Sequence, residues 1–271
     1  MGYVFDFQEA EQYDAWFEQA KNRHFLDLEI KLIMGLLGLR TGQRILDIGC
    51  GTGISLSPLL DKGVSLTGID PSVHMLDKAH ERLKNRVDLH RCYAEDLPFE
   101  DNAFDTAMFF TTLEFTDRPA KAVEEACRVA KDRVVIGVLN RYAPVNMYRR
   151  CKGFFFPNIY SNARFFSVWD LKKMLFSILG DVPVHWRTTA QLPFVRGKMV
   201  TGIENTGWVQ RSFCGTFIGM RIKPVPKFRV RPLPLKIKKR EIYKPATGLA
   251  TTSNARQEYR TIEKQRHLSG M

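Results

Sequence analysis

The chain has 271 residues, 44% of them hydrophobic, which is enough to bury the core of a globular domain. No apolar run reaches about 18 residues, so we expect no membrane-spanning helix. The net charge of +12 is concentrated at one end, because residues 221–271 hold 14 basic and 3 acidic side chains, against 27 and 26 in residues 1–220. The composition therefore predicts a nearly neutral globular part followed by a strongly basic, proline-rich tail.

The first residues, M-G-Y-V-F-D-F, lack the basic region and apolar segment of a signal peptide. Gly2 would suit myristoylation, but Asp6 stands where that motif needs Ser or Thr. The five cysteines are scattered without a C-x-x-C pair, and the histidines are dispersed. We therefore expect a reducing, cytoplasmic compartment and no structural metal.

Two helical patterns, at roughly 9–20 and 25–38, precede the first strand pattern. That strand opens the sequence I-L-D-I-G-C-G-T-G over residues 45–53, in which an apolar run is followed by Gly49, Gly51 and Gly53. A helix is predicted to begin at Ile54. A buried strand, a glycine-rich loop and a helix form the nucleotide-binding turn of doubly wound folds.

The spacing of the glycines separates possible ligands. The dinucleotide pattern G-x-G-x-x-G would need glycine at position 54, which is Ile54. Asp47 would crowd a pyrophosphate and suits the ammonium group of a methionine moiety. The run resembles the first motif of the class I S-adenosylmethionine (AdoMet)-dependent methyltransferases, and more narrowly the small-molecule, type 11-like members. A purely structural glycine turn remains the alternative.

The second strand pattern, 64–70, ends in Asp70, 21 residues after Gly49. Doubly wound nucleotide folds place an acid at about this distance, where its two oxygens accept hydrogen bonds from a ribose diol. A helix containing Met75 follows Pro71. Capping of that helix is a second role for Asp70, compatible with the first.

The third strand pattern, 87–92, leads into A-E-D-L-P-F-E-D-N-A-F-D over residues 94–105. This string resembles the adenine-binding segment of small-molecule methyltransferases, which implies adenine contacts at Ala94 and Glu95. Tyr93 departs from the resemblance, since Asp is usual there, and it could stack beside the adenine instead. Glu95 could equally be a solvated loop charge.

The fourth strand pattern, 105–112, ends at Thr111 and Thr112, followed by Glu114. Ligands of open α/β sheets sit beyond the carboxyl ends of the strands, so this tip should face the methyl group and the acceptor. It lacks the D-P-P-Y or N-P-P-Y sequence of enzymes that methylate nucleobase amines. A helix at 120–130 and a fifth strand at 134–139 complete the alternating order.

The segment after the fifth strand mixes aromatic and basic side chains over residues 140–166, including Arg141 and Tyr142. Such a loop could hold an acceptor, or could be a surface flap with its own small core. Ser167 is the predicted N-cap of the next helix. Residues 182–188 and 213–222 are predicted to close the sheet as an antiparallel pair, with 189–212 as a further candidate for acceptor contacts.

The resemblance implies an α/β, doubly wound, mostly parallel seven-stranded sheet with a carboxyl-terminal antiparallel hairpin. It divides the chain into a helical lid (1–40), a methyltransferase domain (41–222) with a substrate-cap insertion (140–166), and a basic, flexible tail (223–271). The lid aromatics Tyr13 and Trp16 could equally be ordinary helix packing. The implied cofactor contacts are Asp47, Gly49, Cys50, Gly51, Gly53, Asp70, Pro71, Met75, Ala94, Glu95 and Thr111, and the implied acceptor contacts are Tyr13, Trp16, Thr112, Arg141 and Tyr142.

The implied reaction is in-line transfer of a methyl group from AdoMet to a small molecule, with S-adenosylhomocysteine as product. His185 and Glu114 are candidates for a general base, although both could be structural. Two other functions stay open: a non-catalytic AdoMet-binding regulator, and an RNA-directed methyltransferase that uses the basic tail. That tail could also contact an anionic membrane surface, or be a disordered extension.

Overall fold

The computed structural model describes residues 3–155, 162–189 and 212–224. The predictions for the acceptor segment 189–212 and for the basic tail therefore fall almost entirely outside the described residues. Within these ranges, no helix is long and apolar enough to cross a lipid bilayer.

Seven strands form one sheet in the order β3-β2-β1-β4-β5-β7-β6. The first five strands run parallel, and β7 lies antiparallel between β5 and β6. This order confirms the predicted doubly wound sheet and its closing antiparallel pair. The strands are β1 Arg44–Ile48, β2 Ser65–Asp70, β3 Asp88–Arg91, β4 Phe104–Phe110, β5 Ala130–Leu139, β6 Val184–Thr189 and β7 Phe217–Ile222.

Helices cover both faces of the sheet, so the core is split into two apolar layers. One layer contains buried residues of α2 and α3, and the other contains those of α4 and α6. The helices are α1 Phe7–Glu18, α2 Ala20–Leu37, α3 Val73–Leu83, α4 Pro119–Val129, α5 Pro144–Phe155 and α6 Val168–Leu179.

Helix α2 belongs to the core, which corrects its prediction as part of a lid. Its apolar side chains pack directly on sheet glycines, since a Cβ built on Gly219 would lie 2.6 Å from Leu36 Cδ1 and one built on Gly137 would lie 2.8 Å from Ile33 Cδ1. The side chains of Leu36 and Ile33 are both buried. Tyr3, Phe5 and Tyr13, which precede α2, instead lie at the carboxyl edge of the sheet.

The helix predicted from Ile54 is absent from the described structure, and only a 3₁₀ turn, Ser57–Leu59, follows the glycine loop. Pro58 lacks a backbone donor and Gly63 has a φ of +66°, so the short segment between loop and β2 cannot extend an α-helix. The insertion 140–166, in contrast, contains the regular helix α5. Ser167 caps α6 as predicted, since its Oγ accepts a 3.1 Å hydrogen bond from Asp170 N.

Candidate active site

The glycine loop is fastened across the carboxyl ends of β1 and β2. The amides of Gly49 and Cys50 both donate to Ile69 O, each at 2.8 Å. Gly51 N donates to Asp70 Oδ2 at 3.0 Å. The loop is therefore held in place by the neighbouring strand.

Asp70 lies at the end of β2 with 8% of its surface exposed. Its Oδ1 accepts from Ser72 N at 2.9 Å, while its Oδ2 accepts from Gly51 N. Burial raises the pKa of Asp70 to about 6, against the lowering effect of these two backbone donors. Each carboxylate oxygen can accept a second hydrogen bond, so Oδ1 and Oδ2 of Asp70 remain able to bind two adjacent hydroxyl groups.

Asp47 lies below the glycine loop and does not line the cavity above it. Its Oδ2 accepts a 2.5 Å hydrogen bond from Ser55 Oγ, and its Oδ1 is buried with no hydrogen-bond partner among the described residues. Burial raises its pKa to about 7. The sequence predicted a contact between this carboxylate and a ligand's ammonium group. In the structure, the carboxylate instead holds the loop from below through its hydrogen bond with Ser55.

We expect Asp47 to make the unfolding free energy fall as pH rises. Between about pH 4 and pH 7 the folded state keeps a proton on this carboxyl that the unfolded chain has lost, so stability declines across that window. Asp47→Asn, neutral at every pH, should show a smaller decline, because only the other buried carboxyls with raised pKa values, such as Asp70, still contribute to it. Urea unfolding of both proteins at about pH 5 and about pH 8 measures the difference, with the exposed Asp88→Asn as control. Parallel pH profiles for wild type and Asp47→Asn would contradict the assignment.

A cavity with an empty volume of about 730 Å³ opens over the carboxyl ends of β1, β2 and β4. Most of the predicted cofactor contacts line it, with the exceptions of Asp47 and Gly53. The predicted residues in the lining are Gly49, Cys50, Gly51, Asp70, Pro71, Met75, Ala94, Glu95 and Thr111, with Tyr13 and Thr112 from the predicted acceptor contacts.

Gly53 has a packing role. A Cβ built at this position would lie 2.6 Å from Leu83 Cδ1, so glycine is what lets the loop approach α3. Gly51 is different, because a Cβ there would meet nothing within 4 Å and Gly51 lines the cavity.

The amino-terminal segment borders the same cavity. Tyr3 N donates to Phe115 O at 3.0 Å, and Ser72 Oγ donates to Phe5 O at 2.6 Å. The Phe5 ring packs edge-on against Phe115, with centroids 5.0 Å apart. Neither Tyr3 nor Phe5 was predicted as a site residue, because nothing in the local sequence indicates that this segment contacts Phe115, beyond the end of β4.

Helix α1 is tied to the glycine loop through one arginine. Arg82 of α3 donates from Nη2 to Asp14 Oδ2 at 3.0 Å and from Nη1 to Thr52 Oγ1 at 2.6 Å. A second ion pair between the same helices joins Lys78 Nζ and Glu11 Oε1 at 2.5 Å. The position of α1 over the site is therefore coupled to the loop itself.

Thr111 lines both this cavity and a second chamber. Its φ of +51° is unfavourable for a β-branched residue, and such strain concentrates at functional sites. The strained backbone is fixed by a 2.9 Å hydrogen bond from Thr111 N to Gly137 O. The hydroxyl of Tyr13, which burial shifts toward a higher pKa, interacts with the side chain of Thr111.

The second chamber, with an empty volume of about 430 Å³, shares Tyr13, Thr111 and Phe115 with the first cavity. Its lining includes one carboxylate, that of Glu29, which the sequence did not single out. The aromatic lining consists of Tyr13, Trp16, Phe17, Phe25 and Phe115. Trp16, a predicted acceptor contact, lines this chamber but not the first cavity.

Two predicted acceptor contacts are used elsewhere, which corrects their assignment. Arg141 pairs with Asp170 at 3.3 Å between Nη1 and Oδ2, and donates from Nε to Phe165 O at 3.2 Å. Tyr142 is exposed and packs edge-on against Trp169. Both residues join the insertion to α6, and neither lines either cavity.

The two candidate bases are also placed away from the first cavity. In the strand register, His185 of β6 lies opposite Arg221 of β7, and Arg221 lies opposite Val135 of β5. His185 therefore lies well before the carboxyl edge of the sheet. Glu114 is buried, with Oε1 accepting from Leu139 N at 2.6 Å and Oε2 lacking a described partner. Burial raises its pKa to about 8. This carboxyl supports the start of the insertion rather than lining a cavity.

The sheet order and the cavity at the carboxyl edge define a protein of the doubly wound α/β class, whose ligands bind at this edge. A family model described as Methyltransferase domain matches residues 46–136. An uncharacterized protein of Methanocaldococcus jannaschii is 34% identical over 175 residues, which cover 64% of this chain and 78% of that one.

The chain is also similar to two named methyltransferases. Demethylmenaquinone methyltransferase of Paenarthrobacter aurescens is 36% identical over 101 residues, covering 37% of this chain but only 40% of that protein. A solved AdoMet-dependent methyltransferase of Thermotoga maritima, described as a possible histamine N-methyltransferase, shares 26% identity with a TM-score of 0.61. The match covers 80% of this chain and 97% of that one. The chain belongs to the class I AdoMet-dependent methyltransferases.

Proposed function

We propose that AdoMet binds in the first cavity and that the acceptor enters the aromatic second chamber. The observation that carries this proposal is the shared wall, because Tyr13, Thr111 and Phe115 line both spaces. A methyl group held at the tip of β4 would then face the acceptor directly. AdoMet supplies a sulfonium-bound methyl group that is already activated for in-line displacement.

The residues of the first cavity suit this ligand. In the proposal, Asp70 accepts hydrogen bonds from the ribose diol, and Gly51 leaves open space for the close approach of the ligand. Ala94 and Glu95 border the adenine, where both are nearly buried. Glu95 Oε1 already accepts from Arg118 N at 3.2 Å, which fixes the carboxylate at the cavity wall.

The amino-terminal segment and α1 serve as the lid in this proposal. The hydrogen bonds between Phe5 and Ser72 and between Tyr3 and Phe115, made by the segment before α1, close the cavity from the side of β2 and β4. Closure excludes water and holds donor and acceptor in one orientation, which is the main contribution a protein makes when the donor is already reactive. A cytoplasmic location also remains part of the proposal, consistent with the five free cysteines.

Two measurements test the proposed function. Calorimetry with S-adenosylhomocysteine should show one site per chain, and lack of binding would remove the cofactor assignment. The protein should then transfer label from methyl-labelled AdoMet to a small-molecule extract freed of protein and nucleic acid. Transfer only to added RNA, or to nothing despite cofactor binding, would favour the RNA-directed or the non-catalytic alternative.

A further inference from the structure

Glu29 is the one acidic side chain lining the aromatic chamber. It lies on α2, only 6% exposed, in a helix whose neighbouring charged residues Asp27 and Lys31 face solvent. Burying a carboxylate in such an apolar space is unfavourable unless the carboxylate forms hydrogen bonds or an ion pair.

Among the side chains that the structure describes, three charged or titratable groups act on Glu29 from the surrounding elements. Arg149 of α5 exerts an attractive electrostatic effect, while Tyr13 of α1 and Glu114 beyond β4 are coupled to it electrostatically. The Arg149 guanidinium itself lies over the Trp16 and Phe25 rings, 5.7 and 5.4 Å from their centroids. Arg149 Nη1 is also held by Asn146 Oδ1 at 3.1 Å, so the cation is anchored to its own helix.

The ionisation of Glu29 suits a role near neutral pH. Burial raises its pKa to about 7, and Arg149 opposes that shift. A general base works best when its pKa lies near the operating pH, because it must be ionised before the reaction and hold the proton afterwards. Surface glutamates, with a pKa of about 4, hold a proton too weakly for this task.

We propose that Glu29 binds the N–H or O–H group of a small aromatic acceptor in the second chamber and takes its proton during methyl transfer. The inference rests on the proposed function of the adjoining cavity. As the acceptor's nitrogen or oxygen forms its bond to the methyl carbon, the carbon–sulfur bond breaks and its electron pair remains on sulfur. The proton from the acceptor passes to the Glu29 carboxylate and is later released to solvent.

The chamber's other walls specify the acceptor's shape. Five aromatic side chains favour a flat or apolar body, which would stack or pack edge-on against them. One carboxylate in such walls favours a ligand that offers a hydrogen-bond donor, since an unpaired buried charge is unfavourable. Amines and phenolic hydroxyls share this chemistry, and the two are separated by experiment.

Phenethylamine and hydroquinone are suitable probes because each joins one aromatic ring to N–H or O–H donors. Protein saturated with S-adenosylhomocysteine should bind at least one probe in calorimetry, and with AdoMet should methylate it. The rate should rise with pH through about 7. Methylation of phenethylamine alone assigns an amine acceptor, and methylation of hydroquinone alone assigns a hydroxyl.

Glu29→Gln should lower the methylation rate by about 10²- to 10⁴-fold and flatten the pH dependence, with S-adenosylhomocysteine affinity within about twofold of wild type. Glu29→Asp should recover part of the rate. The matched control is Glu125→Gln, a buried glutamate of α4 that bonds to Leu97 N and Arg128 outside both cavities. A merely structural role for Glu29 would change stability but not the pH profile.

Several outcomes would overturn the inference without touching the cofactor site. These are normal cofactor binding with neither probe bound, a Glu29→Gln rate within about threefold of wild type, or a pH response that persists in Glu29→Gln and disappears in Glu114→Gln. Loss of S-adenosylhomocysteine binding by the wild-type protein would instead refute the proposed function itself.

Discussion

Replacing Asp70 with alanine is expected to weaken S-adenosylhomocysteine binding about 100-fold. Two hydrogen bonds from ribose hydroxyls to a carboxylate are each worth roughly 1.5 kcal/mol or more, and each 1.4 kcal/mol is a factor of about ten. The change also removes the acceptor for Gly51 N and Ser72 N, so the glycine loop loses its anchor to β2. Titration calorimetry measures the affinity directly.

The control is Asp88→Ala, which removes an exposed aspartate from the far end of the neighbouring strand β3. It should change affinity by less than about twofold, since an exposed carboxylate outside the cavity contributes little. Asp70→Asn should fall between wild type and alanine, because one oxygen acceptor remains. An Asp70→Ala protein that binds as well as wild type would exclude Asp70 as the ribose-binding acid.

The position of Asp70 was predictable because it depends on local order alone. An apolar run specifies a buried strand, and the carboxyl end of a parallel strand specifies which edge of the sheet its last side chain reaches. The same reasoning predicted β1, the glycine loop and the tip of β4. These features needed no information about how distant segments pack.

Local sequence order could not predict the environments of Glu29 and Arg141. The sequence around Glu29 alternates charged and apolar residues, so nothing local distinguishes it from its solvent-facing neighbours. Its chamber exists only because α1 and the segment after β4 close over α2. Arg141 had the composition of an anion-binding side chain, but its donors are satisfied by Phe165 O and Asp170, 24 and 29 residues away. Long-range pairing of this kind is decided by tertiary structure.

The failed helix after the glycine loop has a different cause. Apolar residues from Ile54 to Leu60 satisfied the helical pattern, yet only nine residues separate Gly53 from Gly63. A proline in the middle of so short a segment leaves too few intrahelical hydrogen bonds to offset the cost of forming the first turn. The loop is instead held by β2, α3 and Arg82.

The second large effect is expected from Gly49→Ala, which should lower the unfolding free energy by about 2–5 kcal/mol. Gly49 has a φ of +74°, where alanine is strained by about 1–2 kcal/mol. A Cβ there would also lie 2.1 Å from Thr112 Cγ2, and relieving that overlap costs about 1–3 kcal/mol more. Thermal unfolding should show a melting temperature lower by about 10 °C.

Gly51→Ala is the matched comparison, because the two glycines share the loop and a left-handed backbone but differ in surroundings. With a φ of +53° and no atom within 4 Å of its Cβ, Gly51 should cost only the backbone strain of about 1–2 kcal/mol. Its methyl group would instead occupy space at the cavity wall, so S-adenosylhomocysteine affinity should fall at least about tenfold in a protein that is still folded. Equal losses of melting temperature in the two variants would contradict the contact with Thr112. Unchanged affinity in Gly51→Ala would show that the ligand does not approach this part of the loop.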